Sequence, residues 1–393
     1  MLSKIRKIYE KSLALQKNYL FLENMKCVLP RKGLKFVAVP ILLLLGGCGH
    51  IVGPRMLRNS QNAYNTAVVQ NEESQILENM VRLRYCDNIT SLDIASVKQS
   101  GSLNANLSLG FDKTIVGKPD KGAYNGKIAP SIGAGCGTVS DLNFTPLTGK
   151  DYVKKYMTPI RFSFVIALIN GGWDLDLVLR LCVERINDLR NAVQADGPTP
   201  KNTPEYRSFF RFSGLLSELN DAGLIDFGTR PNYNFSGLHM RILPHPQWNS
   251  KILELKKLAG IDPKVPWYKL EADFISDRDP ASLVIQCRTL QGVLFYLSQN
   301  IEVPDADKEY GFVGVTKNAD GTEFDWKEVC QNFTVYCSSD RPKQAYVSCY
   351  YRGNWFYIDD TDRTSKQIFM LVMQLRKLQT ADYEANKPLL IVH

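Results

Sequence analysis

The sequence predicts an α+β (or α/β) protein with a helical middle region and a C-terminal mixed sheet covered by helices. Three observations carry that expectation. Apolar residues recur at helical spacing through 150–224. Short apolar and aromatic runs at 267–274 and 282–287 read as strands. Strand and helix patterns then alternate toward the C-terminus, which places helices against a sheet. With 44% hydrophobic and 22% charged residues, the 393-residue chain can build a core as one large or two ordinary domains.

Residues 49–58 read as a tether, and a long helix is expected over 59–85. Ile76, Met80 and Leu83 form one stripe with Leu77, Val81 and Arg84 beside it, an apolar helix face. Arg82 and Arg84 flank that face and are expected to pair with acids while remaining solvated. The alternation over 92–109 suits one or two strands. The Gly-rich stretch 117–140, with Gly133-Ala-Gly-Cys-Gly137, leads into a strand-like run. A phosphate-cradling loop would open a helix and carry a Lys-Ser/Thr pair, so the stretch reads as a hairpin or loop.

A short helix is expected over 151–157, ending before Pro159, and a buried one over 162–169. A long helix is expected over 174–189, with Asp174 placed to accept the free amide protons of its first turn. Gly197, Pro198 and Pro200 mark 195–202 as a linker. A helix over 204–219 follows, with Thr203 as its expected cap. Further helices are expected over 247–258, 290–297 and 364–378, a hairpin of 332–337 with 345–355, and a last strand over 389–392. The expected organisation is 1–47 a signal segment, 48–58 a lipidated tether, 59–230 a helix-rich region carrying the Gly-rich hairpin, and 231–393 a mixed α/β region.

The formal charge of +8 is concentrated at one end. Nine Lys/Arg against Glu10 and Glu23 give residues 1–47 a charge of +7, leaving +1 for the rest. A near-neutral body lacks the clustered cations of a phosphate-binding surface, so no nucleic-acid partner is expected. The basic stretch 25–35 precedes an apolar run over 36–45, which is half the length a membrane span needs. Met25 stands as an alternative start. The run closes on Leu45-Gly46-Gly47-Cys48, which resembles the lipobox of bacterial lipoproteins. That resemblance implies cleavage between Gly47 and Cys48 and lipid on the Cys48 thiol. Two or more acyl chains anchor stably. Gly49 after the cysteine favours the periplasmic face of the outer membrane, with the inner membrane as the alternative.

Nine cysteines occur. Cys27 leaves with the signal and Cys48 takes lipid, which leaves Cys86, Cys136, Cys182, Cys287, Cys330, Cys337 and Cys349. An oxidising periplasm allows pairing. Cys330, Cys337 and Cys349 lie on expected neighbouring strands, so a bridge among them and a set of buried thiols are both open. The four histidines (His50, His239, His245, His393) fall in no zinc spacing, and no metal or cofactor is expected. Asp359, Asp360 and Asp362 precede a helix and read as caps rather than cation ligands. No GxSxG occurs, and Ser365-Lys366 is adjacent rather than SxxK, so no catalytic residue is assigned.

Four stretches resemble a family of proteobacterial envelope lipoproteins that carries no assigned activity. They are 79–87 (NMVRLRYCD), Pro146-Leu-Thr-Gly149 with Thr158-Pro-Ile160, 290–304, and 355–366 (WFYIDDTDRTSK). The resemblance implies a shared fold and location and adds no catalytic residue. The function expected is a membrane-anchored structural or interaction component of an envelope assembly, with other envelope proteins as partners. An anchored enzyme acting on an envelope glycan and a small-ligand-binding lipoprotein are the alternatives. A broad exposed apolar patch would favour the first, and a pocket with converging polar groups the other two.

Overall fold

A computed structural model describes residues 54–90, 92–111, 128–229, 237–272 and 279–385. Gly47, Cys48 and the strand expected over 389–392 lie outside the described residues. The chain divides into two units, Met1–Asn71 and Glu72–His393. Among the described residues the first unit holds the start of helix α1 (Pro54–Arg84).

The last turns of α1 bury the expected stripe, with Ile76, Leu77, Met80 and Val81 fully enclosed. The helix ends in a Schellman arrangement: Cys86 N donates to Leu83 O and Asp87 N to Arg82 O, at 3.1 and 2.8 Å. Cys86 takes the left-handed position (φ 58°) that glycine usually fills.

The Gly-rich region forms an antiparallel hairpin of β1 (Leu92–Phe111) and β2 (Ile128–Pro146), with a register shift between Ile94 and Ser96. Helix α2 (Gly149–Tyr152) continues into a π-helical turn, Val153–Met157, followed by α3 (Phe162–Asn170) and α4 (Leu175–Cys182). Asp174 caps α4 as expected, accepting from Leu177 N at 2.7 Å.

Helix α4 stops seven residues before the expected end at 189. Residues Val183–Ile186 form β3, turn through Asn187 and Asp188, and return as β4 (Leu189–Arg190). The reason is tertiary. Arg288 N donates to Cys182 O at 2.8 Å, and the buried Arg288 side chain takes the carbonyls of Arg180 and Val183, both at 2.9 Å. These contacts replace the bonds that further helix would have made.

Segment 195–202 is no linker. A 3-10 turn (Val193–Asp196) buries Ala195, and Thr316 Oγ1 donates to Pro200 O at 2.6 Å. Helix α5 (Arg207–Asp221) starts without a side-chain cap. Thr203, the expected cap, turns instead to Lys317 O at 3.4 Å and Asn318 Oδ1 at 3.3 Å. Ala192 N holds Glu205 O at 2.8 Å, which keeps the chain non-helical through this approach.

The main sheet has the order β4-β3-β8-β7-β6-β5. It adds β5 (Ile225–Thr229), β6 (Leu238–Ile242), β7 (Trp267–Glu271) and β8 (Ser282–Cys287). Only β7–β8 is parallel among the described pairs. The sheet takes strands from both sides of the boundary expected at 230/231, so the two regions share one sheet. Helix α6 (Asn249–Ala259) packs on α5, and α7 (Leu290–Ser298) follows β8, capped by Thr289 onto Gly292 N at 2.9 Å. The protein is α+β.

After α8 (Asp305–Glu309), a second sheet has the order β10-β11-β9, with β9 Tyr336–Ser338, β10 Ala345–Tyr351 and β11 Asn354–Asp359. The hairpin expected between 332–337 and 345–355 is instead β10 with β11, and β9 lies on the far edge of β11. The turn is Arg352-Gly353, both at positive φ (46° and 85°), which matches the right-handed twist of the flanking strands. The inward face of this sheet (Val347, Phe356, Ile358) joins a core with Ile368, Phe369 and Val372 of α9 (Arg363–Ala385).

Candidate functional site

The residues singled out in the sequence do not converge. Cys349 and Cys337 are both register partners of Phe356, one from each side of β11. Two strand spacings, about 9–10 Å, exceed the roughly 7 Å a disulfide allows between Cα atoms. Cys330 lies apart, with its Sγ 3.2 Å from Tyr296 O. All three are free thiols, so the bridge expected among them is not made. Burial pushes the Cys337 thiol up to about 11 and Cys349 to about 12, which suppresses the reactive thiolate.

The acidic run before α9 is divided among separate tasks. Asp359 Oδ1 accepts from Thr361 N and Oγ1 at 2.8 and 2.5 Å, and Asp360 pairs with Lys366 at 2.5 Å. Asp362 caps α9 through Ser365 N at 3.0 Å and takes the Ser365 hydroxyl at 2.6 Å. Ser365 is fully buried and also accepts from Thr334 N at 2.9 Å, so it ties the chain before β9 to α9 rather than facing a substrate. His239, nearly buried in β6, has Nδ1 2.9 Å from Gly237 O.

The geometry places a site beside Cys337 alone of the three cysteines Cys330, Cys337 and Cys349. A cavity of about 710 Å³ opens between the end of α1, the segment 299–305 after α7, α8, the loop 323–327 and β9. That volume falls within the usual range for small-ligand pockets. Its most enclosed charged wall is Arg84, 5% exposed, which the sequence suggested would be solvated and paired with an acid. Instead its Nη1 donates to Thr199 Oγ1 at 2.8 Å and Gly314 O at 2.9 Å, while Nε is buried without a partner. Gly314 permits this approach: a Cβ there would stand 3.1 Å from Thr199 Cβ.

No carboxylate among the described residues lies within ion-pair distance of Arg84. The acid that acts on it most, Glu323, is bound to Lys308 at 2.9 and 3.1 Å. Burial lowers the Arg84 pKa to about 10, which leaves the guanidinium charged at neutral pH. Beside it, Gln299 is 4% exposed, gives its Nε2 to Gly197 O and Phe295 O at 3.3 and 3.2 Å, and keeps a buried Oε1 with no partner.

A second buried guanidinium shows the contrast. Arg288 has a side chain with no exposure, meets Asp196 at 2.5 Å and lies over the Tyr296 ring at 4.1 Å. Its charge is answered inside the protein, whereas that of Arg84 is answered, among the described residues, by the neutral oxygens of Thr199 and Gly314. The sequence signal for Arg84 is a lone arginine on the buried stripe of a helix. What hides its role is that Thr199 and Gly314 approach from 115 and 230 residues away.

Comparison of the chain with protein-family models, with curated proteins and with solved structures finds no match.

Proposed function

We propose that this chain is a lipid-anchored bacterial envelope protein that takes a small acidic ligand into the Arg84 cavity. The anchor rests on Leu45-Gly46-Gly47-Cys48 and the basic and apolar segments before it, with the periplasmic face of the outer membrane as the location. The ligand rests on one observation: a buried guanidinium without a carboxylate partner among the described residues lines a 710 Å³ cavity. A buried charge without a counter-ion is costly, and a carboxylate or phosphate that met the guanidinium at Nη2 would relieve that cost.

The test is native mass spectrometry of the protein extracted from membranes, beside an Arg84→Lys form. A small acidic molecule released from the wild type and lost from the lysine form is the expected result, since lysine keeps the charge without the fork. Equal occupancy in both, or none in either, rejects the reading. For the anchor, radiolabelled palmitate should enter the wild type and not Cys48→Ser.

A second reading, an interaction component of an envelope assembly, is supported by Tyr310 and Phe312. They are 75% and 52% exposed with ring centroids 5.8 Å apart, an aromatic pair of the kind enriched at interfaces. Cross-linking in cells through these two positions tests it: a fixed envelope partner supports it, and none rejects it.

A further inference from the structure

Resting on the ligand-binding reading above, we infer that the Arg84 cavity takes a zwitterion, a short peptide with both termini free, bound carboxylate-first. The argument is the order of charges from floor to rim. At the enclosed end stands the Arg84 guanidinium, 5% exposed, beside the buried Gln299. Toward solvent the lining changes sign. Glu302, Asp305, Glu323 and Asp325 supply carboxylates, set against Lys308 and Lys327. Lys308 is already committed to Glu323. Among the described lining residues, that leaves the charges of Glu302, Asp305 and Asp325 against one further cation, Lys327, with Glu302 accepting from Cys337 N at 3.4 Å and Asp325 from Lys327 N at 2.9 Å.

A simple dianion such as phosphate would meet the guanidinium but would also enter through this negative rim, which disfavours it. A group with an anionic head and a cationic tail satisfies both ends. The carboxylate meets Arg84 at Nη2, the nitrogen not committed to Thr199 and Gly314 and not sealed in protein. The ammonium then lies among the rim acids. Polar groups at both ends with a cavity of this volume suit a peptide of a few residues.

The experiment uses the mature lipoprotein in detergent and three pools of random dipeptides: free, N-acetylated, and C-amidated. Binding is read by calorimetry, with acetate and inorganic phosphate as further probes. The expected order is free above N-acetylated above C-amidated. The rim variant Glu302→Gln/Asp305→Asn, which leaves the buried wall intact, should lower affinity for the free pool about tenfold and leave the N-acetylated pool unchanged. This variant keeps the inference open to refutation should Arg84→Lys fail to fold. If the N-acetylated pool or phosphate binds as well as the free pool, the zwitterion inference falls while the acidic-ligand reading stands. If no probe binds, both fall.

Discussion

Arg288 Nε donates to Asp196 Oδ1 at 2.5 Å, joining the strand β8 exit to the 3-10 turn that precedes α5. The same guanidinium takes the carbonyls of Arg180, Leu181, Val183 and Asn191, so one side chain holds the end of α4, the start of β3 and the loop after β4. Arg288→Met removes the charge and leaves Asp196 and the Asn191 carbonyl unanswered, while Asn191 Nδ2 still reaches Arg180 O and Val183 O at 2.8 and 2.6 Å. It should destabilise the protein by about 3–5 kcal/mol, read as a lower urea midpoint. Asp196→Asn keeps one acceptor and should lose less. Equal losses would mean that the ion pair, and not the carbonyl contacts, dominates.

Asn187 performs a similar task at the β3–β4 turn. It is fully buried, with Nδ2 on Ala259 O at 2.7 Å and Oδ1 on Val284 N at 2.9 Å, and it adopts φ 50°. Asn187→Ala loses both bonds and keeps an unfavourable backbone, for an expected loss of about 2–4 kcal/mol. Asn187→Gly relieves the backbone alone and should fall between alanine and the wild type in chemical denaturation.

Cys86 is an exposed thiol at a left-handed helix C-terminus. Cys86→Gly should raise stability by about 1 kcal/mol, because glycine meets φ 58° without its Cβ penalty. Cys86→Ala, which keeps the Cβ, should leave the thermal midpoint unchanged. A glycine form no more stable than the alanine form would show that the thiol itself contributes.

Asp87 accepts from the Tyr351 hydroxyl at 2.6 Å and from Arg352 at 2.9 Å, and these two groups hold its carboxyl below the ordinary 3.8. A depressed folded pKa contributes stability that is present above the unfolded value and is lost as pH falls through the folded one. The carboxylate is partly exposed, so solvent screening keeps the effect under about 1 kcal/mol. The stability gap between wild type and Asp87→Asn should therefore hold from about pH 7 to 5 and close as pH drops below about 4. A gap that stays constant through the acid range would assign it to packing.

Several elements are legible in the chain itself. The stripe on α1, the Asp174 and Asp362 helix starts, strand β8 and the turn toward α9 follow from local rules, spacing and capping, that act over four to six residues. Strand β3 is not legible in this way. Residues 183–186 continue an apolar helical pattern, and α4 ends at Cys182 because Arg288, about a hundred residues on, and Asn191 take the carbonyls of Arg180 and Val183. The pairing of β10 escapes a local reading for a related reason. Alternation marks a strand without naming its partner, and the signal is the Arg352-Gly353 turn.

The sequence by itself determined the fold class, most helices and the segments that suggest an anchor at Cys48, because each depends on residues adjacent in the chain. Tertiary structure alone decided the cavity. Arg84, Gln299 and the rim acids come from α1, the segment from the end of α7 to the start of α8, and a loop beyond α8, and nothing local distinguishes an arginine that finds a carboxylate from one that does not. Whether a buried charge is answered depends on which distant backbone approaches it, and in this fold the groups that approach Arg84 are a hydroxyl and a carbonyl.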